Sequence, residues 1–289
     1  MLNHALKTHL EESLENLLNA TTEITSIKSV GGGDINDAYQ LIANGKECFL
    51  KVNSSLKYPA MFMAEHRGLA LLKDHSNFFI PKVYFNGEHQ EFSYLLMEWM
   101  DLSANGDWRE FGISLAGLHS NTDPRFGLDH NNYIGNLPQI NTLTTSWSEF
   151  YANQRLLPLF KKAYDHGLFD ELDHQHLMRL LNKLENIYPI EDASLLHGDL
   201  WGGNADFCND RPSIFDPAVY YGHREMDIAM TLLFGGFPAE MYEAYNEVYP
   251  LEKAWRDRID IGQLYPLLVH VLLFGRSYAR QVKSILKRF

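Results

Sequence analysis

Apolar residues near the start of the chain recur at helical spacing. Leu6, Leu10, Leu14, Leu17 and Leu18 are separated by polar residues that include several glutamates. A period of three to four residues places such side chains on one face of a helix. The pattern therefore predicts an amphipathic N-terminal helix, and it lacks the apolar run and flanks of a secretory signal.

After this helix, the chain contains short apolar segments typical of strands. Three such segments come first, and Asn44–Gly45 between the second and the third is a hairpin signal. A helical run containing Glu65 follows, and then two strands that we expect to be joined by Asn86–Gly87. The five predicted strands cover residues 24–30, 38–42, 47–52, 81–85 and 92–97. Together with the helix they predict a sheet-based N-terminal lobe with the bounds 1–98.

The rest of the chain is predicted to be mostly helical. Residues 99–106, where small and polar side chains gather, are expected to link the lobes, and residues 107–289 to form the second lobe. The predicted helices are 108–119, 145–164, 168–188, 226–234 and several more toward the C-terminus. One hairpin is expected around Asn209–Asp210, and it would present Asn204 and Asp216 together. The predicted fold class is α/β (α+β), with an antiparallel sheet in one lobe and mainly helices in the other.

Composition limits what the protein binds. The 289 residues are 45% hydrophobic and carry a net charge of −12, which argues against an extended nucleic-acid surface and so against a nucleic-acid partner. The longest apolar stretch, 264–274, is too short to span a bilayer and is expected to be a buried helix, so no membrane association is predicted. Cys48 and Cys208 fit no metal spacing, which favours a reducing, cytoplasmic location. Cys48 lies in a predicted strand, where a buried thiol is expected.

The most informative segment is Leu195-Leu196-His197-Gly198-Asp199-Leu200-Trp201-Gly202-Gly203-Asn204, followed by Ile214-Phe215-Asp216-Pro217. The spacing from Asp199 to Asn204 equals that in the catalytic loop of protein kinases. One carboxylate can accept the proton of an attacking hydroxyl, while Asn204 and Asp216 can supply oxygen ligands to Mg²⁺. His197 is expected to hydrogen-bond backbone. The alternative is a purely structural turn capped by Asn204.

Upstream residues fit the same chemistry. Gly31, Gly32 and Gly33 can bring backbone N–H groups close to phosphate, although three glycines alone are more typical of a flexible turn. They lead into a strand, so a dinucleotide-binding motif is excluded. Lys51 ends an apolar strand and could reach the phosphates, with Glu65 as its partner. Taken singly, these two residues are more typical of a solvated strand lysine and a helix-surface charge, but taken together with the 199–216 region they favour the phosphate-binding role.

Two further groups of charged residues favour structural interpretations. His174 and His176 are two positions apart on a predicted helix and point in different directions, which argues against a metal site. The last helix carries a basic stripe, for which we favour a solvated face. The stripe consists of Arg276, Arg280, Lys283 and Lys287.

The sequence resembles the fructosamine kinase (ketosamine-3-kinase) family, an aminoglycoside-phosphotransferase-like branch of the protein-kinase-like fold. The resemblance rests first on the His197–Asn204 segment and on Phe215-Asp216-Pro217-Ala218. It extends over nearly the whole chain through further matching blocks. These are Phe126–Leu128, Gly135–Asn141, Trp147–Pro158, Tyr221–Met230, Leu233–Phe237 and Leu273–Tyr278.

The resemblance implies a two-lobed protein-kinase-like fold and phosphorylation of the sugar 3-hydroxyl of ketosamines by ATP with Mg²⁺. The phosphorylated adduct then decomposes and frees the amine, which implies a role in deglycation. Lys51 would bind phosphate, and Glu65 would position Lys51. The backbone of Glu98 and Met100 would contact adenine. The three glycines at 31–33 would lie near the phosphates.

For the acceptor side, the resemblance implies that Asp199 is the base and that Asn204 and Asp216 hold Mg²⁺. Trp201 is the candidate for lining the substrate pocket. Trp147 and Tyr151 are further pocket candidates. The chain departs from the family pattern at Gly202, where serine is common, and at Asp34, where some members have cysteine.

Two alternatives remain open from sequence. One is a kinase of the same fold acting on another small-molecule hydroxyl, such as an aminoglycoside. The other is a catalytically silent nucleotide-binding module, against which the joint presence of Asp199, Asn204, Asp216 and Lys51 argues. The sequence indicates neither the preferred sugar and amine, nor a free or protein-bound acceptor, nor the oligomeric state.

Overall fold

A computed structural model describes residues 2–31, 36–103 and 105–289. The first lobe consists of an N-terminal helix, a five-stranded antiparallel sheet and a second helix. The strand order is β1-β2-β3-β5-β4. The elements of this lobe are α1 (His4–Leu18), β1 (Ile24–Ser29), β2 (Asp37–Ala43), β3 (Lys46–Ser54), α2 (Met61–His75), β4 (Val83–His89) and β5 (Phe92–Glu98).

The N-terminal helix is amphipathic, as predicted. Leu6, Leu10 and Leu14 are buried and share one hydrophobic cluster with residues of the sheet. Leu17 and Leu18, which were expected on the same face, are about half exposed at the end of the helix.

Two predicted hairpins have different outcomes. Asn44 and Gly45 both have positive φ, 49° and 78°, and form the tight turn between β2 and β3. The turn predicted at Asn86–Gly87 is wrong, because both residues lie inside β4 and the chain reverses after His89. Gly87 pairs with Tyr94, whose hydroxyl would lie 2.5 Å from a Cβ at that position. This glycine therefore makes room for a ring on the neighbouring strand.

The second lobe is mainly helical, with small sheets among the helices. The link contains β6 (Leu102–Ser103), which pairs with Phe207 and Cys208. The helices are α3 (Trp108–His119), α4 (Trp147–Phe150), α5 (Leu157–Asp165), α6 (Glu171–Leu181), α7 (Glu225–Leu233), α8 (Ala239–Val248), α9 (Trp255–Gly262), α10 (Leu264–Phe274) and α11 (Arg276–Leu286). The strands are β7 (Thr122–Asp123), β8 (Asn132–Ile134), β9 (Leu137–Gln139), β10 (Ala193–Leu196), β11 (Ala205–Cys208), β12 (Arg211–Ile214) and β13 (Tyr220–Gly222).

The predicted helices of this lobe are found, with local differences. The helix predicted at 145–164 contains a π-helical turn, Tyr151–Leu156, between α4 and α5. The helix predicted at 168–188 is shorter, since α6 ends at Leu181 and only a 3-10 turn, Leu184–Asn186, follows. The hairpin around Asn209–Asp210 is confirmed, and both turn residues have positive φ.

One helix joins the two lobes. Phe62, Leu69 and Leu72 of α2 belong to the hydrophobic core of the second lobe. A Cβ on Gly68 of the same helix would lie 3.1 Å from the Val219 side chain. Helix α2 thus packs directly on the segment that follows Asp216, so both lobes position the residues between them.

The structure also tests the predictions made for the last two helices and for the cysteines. Helix α10 is mostly buried, as expected, although Phe274 at its end is about half exposed, and no helix of the described residues is long and apolar enough to cross a membrane. The prediction that the basic stripe of the last helix is fully solvated is wrong at one position, Lys283. Lys283 forms an ion pair of 2.6 Å with Asp173, which is buried in the first turn of α6. Cys48 is a buried free thiol, as expected, and so is Cys208.

A buried histidine makes the stability of the fold dependent on pH. His223 is 1% exposed between β13 and α7, with its Nε2 atom 3.8 Å from an oxygen of Glu191. Burial lowers the pKa of His223 to about 4, despite the nearby Glu191. Because this folded-state pKa lies below the value of about 6.5 in the unfolded chain, the neutral ring contributes stability that is complete above pH 6.5 and is lost as the pH falls toward 4.

We therefore expect His223→Gln to reduce the pH dependence of unfolding. Between pH 7 and pH 4.5 the wild type should lose about 2–3 kcal/mol more unfolding free energy than the variant. Urea titrations at several pH values measure this difference, with exposed His4→Gln as the control. Parallel pH profiles for the wild type and His223→Gln would contradict the assignment.

Candidate active site

The predicted catalytic loop connects β10 to β11 and is anchored by one buried carboxylate. Asp227 accepts hydrogen bonds from the backbone N–H of His197 at 2.7 Å and of Gly198 at 2.9 Å. Its Oδ2 atom also lies 3.2 Å from Nε2 of the buried His119. Burial alone would raise the pKa of Asp227, but these interactions hold the pKa below its usual value. The carboxylate therefore stays ionised and fixes the start of the loop.

The ring of His197 has a structural role, as predicted. It is buried, and its Nε2 atom donates to the carbonyl of Phe215 at 3.0 Å. The backbone N–H of Asp199 donates to its Nδ1 atom at 3.3 Å. Burial lowers the pKa of His197, so the neutral ring links the catalytic loop to the residue before Asp216.

Asp199 is the next residue of this loop after Gly198, and its carboxylate faces a cavity between the lobes. The side-chain amide of Asn204 donates to Asp199 Oδ2 at 3.1 Å and to the Asp199 carbonyl at 3.0 Å. Burial and the negative charge of Asp216 raise the pKa of Asp199 to about 7. A carboxylate of raised basicity in this position is suited to accepting a proton from a hydroxyl group.

Asp216 follows β12 and has left-handed backbone geometry, with φ of 55°. The N–H of Phe215 donates to the carbonyl of Asn204 at 3.1 Å, which ties the residue before Asp216 to the other candidate metal ligand. The strained backbone thus directs the Asp216 side chain toward the catalytic loop and the N-terminal lobe.

The cation opposite Asp216 is Lys51 of β3. Its ammonium pairs with Glu65 of α2 at 2.7 Å and with Asp216 Oδ1. The Lys51 side chain is 7% exposed. Burial would lower the pKa of Lys51, but Asp216 and Glu65 raise it above the usual value, so the ammonium remains charged. The predicted pairing of Lys51 with Glu65 is confirmed.

A buried polar network supports the segment after Asp216. The side-chain amide of Gln139 donates to the Ala218 carbonyl at 3.0 Å and to Asn132 Oδ1 at 2.8 Å. Asn132 in turn donates to the Val219 carbonyl at 2.8 Å. The β8–β9 hairpin therefore holds Ala218 and Val219 in place, which gives the Leu137-Pro138-Gln139 block a physical role.

Six of the predicted site residues line one cavity of about 510 Å³. They are Lys51, Glu65, Asp199, Trp201, Asn204 and Asp216. Gly31, Glu98 and Met100 are not among its lining residues. Gly32 and Gly33 lie outside the described residues, as does Asp34. The roles expected for these glycines and for the linker backbone therefore stay predictions.

Two aromatic residues expected in the pocket are not there. Trp147 is 7% exposed and Tyr151 is fully buried, and their rings stack 5.0 Å apart in the core of the second lobe. The Tyr151 hydroxyl donates to the Ile261 carbonyl at 2.6 Å. Their spacing of four residues places both on the apolar face of a helix, and this face packs inward.

Other cavity residues were not found from sequence because they come from distant segments. The hairpin contributes Asn132–Gly135, and the later helices contribute a group of aromatic residues. The only sequence signal was the presence of some of them in the blocks that resemble the family. They include Tyr133, Met230, Phe234, His270, Phe274 and Tyr278.

The two-lobed architecture and this arrangement of lysine, aspartates and asparagine define a phosphotransferase of the protein-kinase-like class. A family model described as Fructosamine kinase matches residues 6–289. The chain belongs to the fructosamine kinase family.

Individual relatives agree with this assignment. The chain is 40% identical over 264 residues to a probable ketoamine kinase of Enterococcus faecium, covering 90% of this chain and 94% of the relative. It is 37% identical over 273 residues to the chloroplastic protein-ribulosamine 3-kinase of Arabidopsis thaliana, covering 92% and 82%. The crystal structure of a candidate fructosamine-3-kinase from Thermobifida fusca has a TM-score of 0.86 at 33% identity, covering 96% and 97%. The aminoglycoside phosphotransferase APH(4)-Ia, at 15% identity and a TM-score of 0.61, shares the fold.

Two glycines of the catalytic loop allow a matched test of its geometry. Gly198 has φ of +82°, and a Cβ there would lie 2.0 Å from the Ala218 carbonyl oxygen. At Gly202 a Cβ would lie 3.4 Å from the Gly235 carbonyl oxygen, an ordinary contact. We expect Gly198→Ala to lower kcat by about a hundredfold or more, whereas Gly202→Ser should remain within about twofold of the wild type. Steady-state kinetics and melting curves on both variants check this, and equal effects would contradict it.

Proposed function

We propose that this protein transfers the γ-phosphoryl group of ATP to the 3-hydroxyl of the sugar in a ketosamine. The observation that carries the proposal is that Asp199 lines one cavity together with two different groups of residues. Lys51, Glu65 and Asp216 are joined by ion pairs and suit a nucleotide, so we call their part of the cavity the nucleotide end; the part that begins at Trp201 suits a sugar, and we call it the acceptor end. The names of the ketoamine and ribulosamine kinase relatives support this substrate class.

The nucleotide end has the composition that ATP requires. Membership of a kinase family implies ATP as the phosphate donor. The charged ammonium of Lys51 is fixed by Glu65 and is positioned to bind phosphate oxygens. Gly31 to Gly33 and the backbone of Glu98 and Met100 would complete this site.

The donor set also fits Mg²⁺. Among the described residues, no hydrogen-bond donor contacts Asn204 Oδ1 or Asp216 Oδ2, and both side chains face the cavity. Amide and carboxylate oxygens are the ligands that Mg²⁺ prefers. Asn204 and Asp216 would hold the ion, which would neutralise charge on the phosphates.

On the acceptor side, Asp199 accepts the proton of the attacking hydroxyl. The new bond forms between the sugar oxygen and phosphorus, and the bond to the bridging oxygen breaks, so that ADP leaves. The amide of Asn204 fixes the orientation of the Asp199 carboxylate. The indole of Trp201, which is 40% exposed, can cover an apolar sugar face next to the base.

The product chemistry supports a role in deglycation. After enolisation toward the amine-bearing carbon, a phosphate on carbon 3 is an allylic leaving group. Its expulsion leaves an unsaturated imine, and hydrolysis of this imine releases the free amine. Phosphorylation at this position therefore makes the sugar adduct labile.

The substrate class is tested by measuring ADP release. With Mg-ATP, we expect turnover of fructose- or ribulose-derived amine adducts and none of kanamycin-type antibiotics. A polycationic acceptor would need several carboxylates around it, but of the three carboxylates that line the described cavity, Glu65 and Asp216 pair with Lys51, which leaves Asp199 to face the acceptor. Turnover of aminoglycosides without turnover of any ketosamine would refute the proposal and favour an aminoglycoside kinase.

Two isosteric variants separate the roles of the aspartates. Asp199→Asn should lower kcat by about 10²–10⁴-fold with little change in ATP affinity, because it removes the base. Asp216→Asn should instead weaken the dependence of nucleotide affinity on Mg²⁺. Titrations of nucleotide at several Mg²⁺ concentrations, together with kinetics, distinguish the two. A wild-type kcat for Asp199→Asn would exclude this residue as the base.

A further inference from the structure

Beyond Trp201, the cavity continues along a wall of aromatic side chains. Three segments that are distant in sequence contribute to this wall: the catalytic loop, the end of α7, and α10 with α11. We call it the aromatic wall, and it consists of Trp201, Phe234, His270, Phe274 and Tyr278.

The rings of the aromatic wall form a continuous surface. Ring centroids lie 6.2 Å apart for Trp201 and Phe234, and 4.9 Å apart for Phe234 and His270. From His270 the distance is 5.3 Å to Phe274 and 4.9 Å to Tyr278. Trp201, Phe234 and Phe274 are 40%, 42% and 49% exposed. Contiguous exposed aromatic surface next to a catalytic group is typical of a ligand-binding site.

Glycines position the rings at both ends of the wall. Gly275 separates α10 from α11 with φ of +86°, and its N–H donates to the Val271 carbonyl at 3.0 Å. This turn brings Phe274 and Tyr278 to the same side, with centroids 6.2 Å apart. A Cβ on Gly203 would lie 2.3 Å from the Trp201 ring, so the indole rests directly on this glycine.

The aromatic wall carries no fixed charge. Of the described residues that line the cavity, the carboxylates are Glu65, Asp199 and Asp216, and the one lysine is Lys51, which is paired with two of them. The Nδ1 atom of His270 donates a hydrogen bond to the Pro266 carbonyl at 2.7 Å. Burial lowers the pKa of His270, so the His270 ring is neutral at neutral pH. A carboxylate placed against this wall would lose its hydrating water without gaining an ion-pair or hydrogen-bond partner.

We propose that the aromatic wall binds the amine substituent of the ketosamine and selects uncharged, apolar substituents over those that carry a carboxylate. This inference rests on the proposed function, because it places the sugar at Asp199. The substituent is attached to the sugar through a secondary amine that is protonated at neutral pH. Aromatic faces attract such a cation, and the alkyl chain beyond it gains apolar contact.

The experiment compares three fructose adducts that share the sugar and differ in the amine. The amines are methylamine, n-butylamine and 4-aminobutyrate, and the last two have the same number of carbon atoms. We expect kcat/KM for the butylamine adduct to exceed that for the 4-aminobutyrate adduct by about tenfold or more. The kcat/KM for the methylamine adduct should be lower than that for the butylamine adduct, because the methyl group leaves most of the wall uncovered.

Variants of the wall test where this preference arises. Phe274→Ala and Phe234→Ala should each reduce the ratio of kcat/KM between the butylamine and methylamine adducts by about fivefold, mainly through KM. Both side chains are nearly half exposed, so the fold is expected to tolerate their loss. Phe274→Leu keeps apolar surface and should retain most of the ratio. Ile190→Ala, at a fully exposed position outside the cavity, is the matched control and should behave as the wild type.

The outcomes separate this inference from the proposed function. Turnover of all three adducts at similar kcat/KM, or a preference for the 4-aminobutyrate adduct, would overturn the role of the wall and leave the proposed function intact. If neither Phe274→Ala nor Phe234→Ala changed the ratio of kcat/KM between the butylamine and methylamine adducts, the role of the wall would likewise be overturned and the proposed function would stand. Failure of the wild type to turn over any ketosamine would overturn both.

Discussion

The site depends most on the buried carboxylate of Asp227. It satisfies two adjacent backbone N–H groups at the start of the catalytic loop and is itself held by His119. A buried ionised carboxylate is stable only when it is fully hydrogen-bonded, so the loop and Asp227 require each other. From this anchor, His197 extends the constraint to Phe215, and through it to Asp216. The proposed proton acceptor, Asp199, and the candidate metal ligands are thereby held as one unit.

The two lobes meet at this unit through Lys51 and helix α2. Lys51 comes from the sheet, and α2 supplies Glu65 while packing on residues 217–219. The β8–β9 hairpin supports the same segment from the other lobe through Gln139. Movement of α2 relative to the second lobe would therefore be coupled to the geometry around Asp216. Among the described residues, the aromatic wall at the proposed acceptor end comes from the second lobe, so changes in the wall can alter substrate preference without disturbing the proposed nucleotide end.

Sequence reasoning succeeded where the chemistry is local in the chain. Asp199 and Asn204 lie in one loop, and a single hairpin brings Asp216 to them, so the spacing alone predicted their proximity. It failed where tertiary packing decides the outcome. Asn86–Gly87 has a turn composition, but Gly87 is needed inside a strand to accommodate Tyr94. Trp147 and Tyr151 have the composition of a sugar pocket, but their helix turns them into the core. The aromatic wall could not be predicted, because its members come from three separate segments.

The most direct test of the account is the position of the phosphate in the product. Wild-type protein should be incubated with Mg-ATP and a fructose–amine adduct labelled with ¹³C at carbon 3, and phosphorus and carbon NMR spectra should be recorded as the reaction proceeds. The account predicts phosphorus–carbon coupling at the labelled position, followed by release of the free amine and inorganic phosphate. A phosphate on another hydroxyl, or ATP hydrolysis without a sugar phosphate, would contradict it.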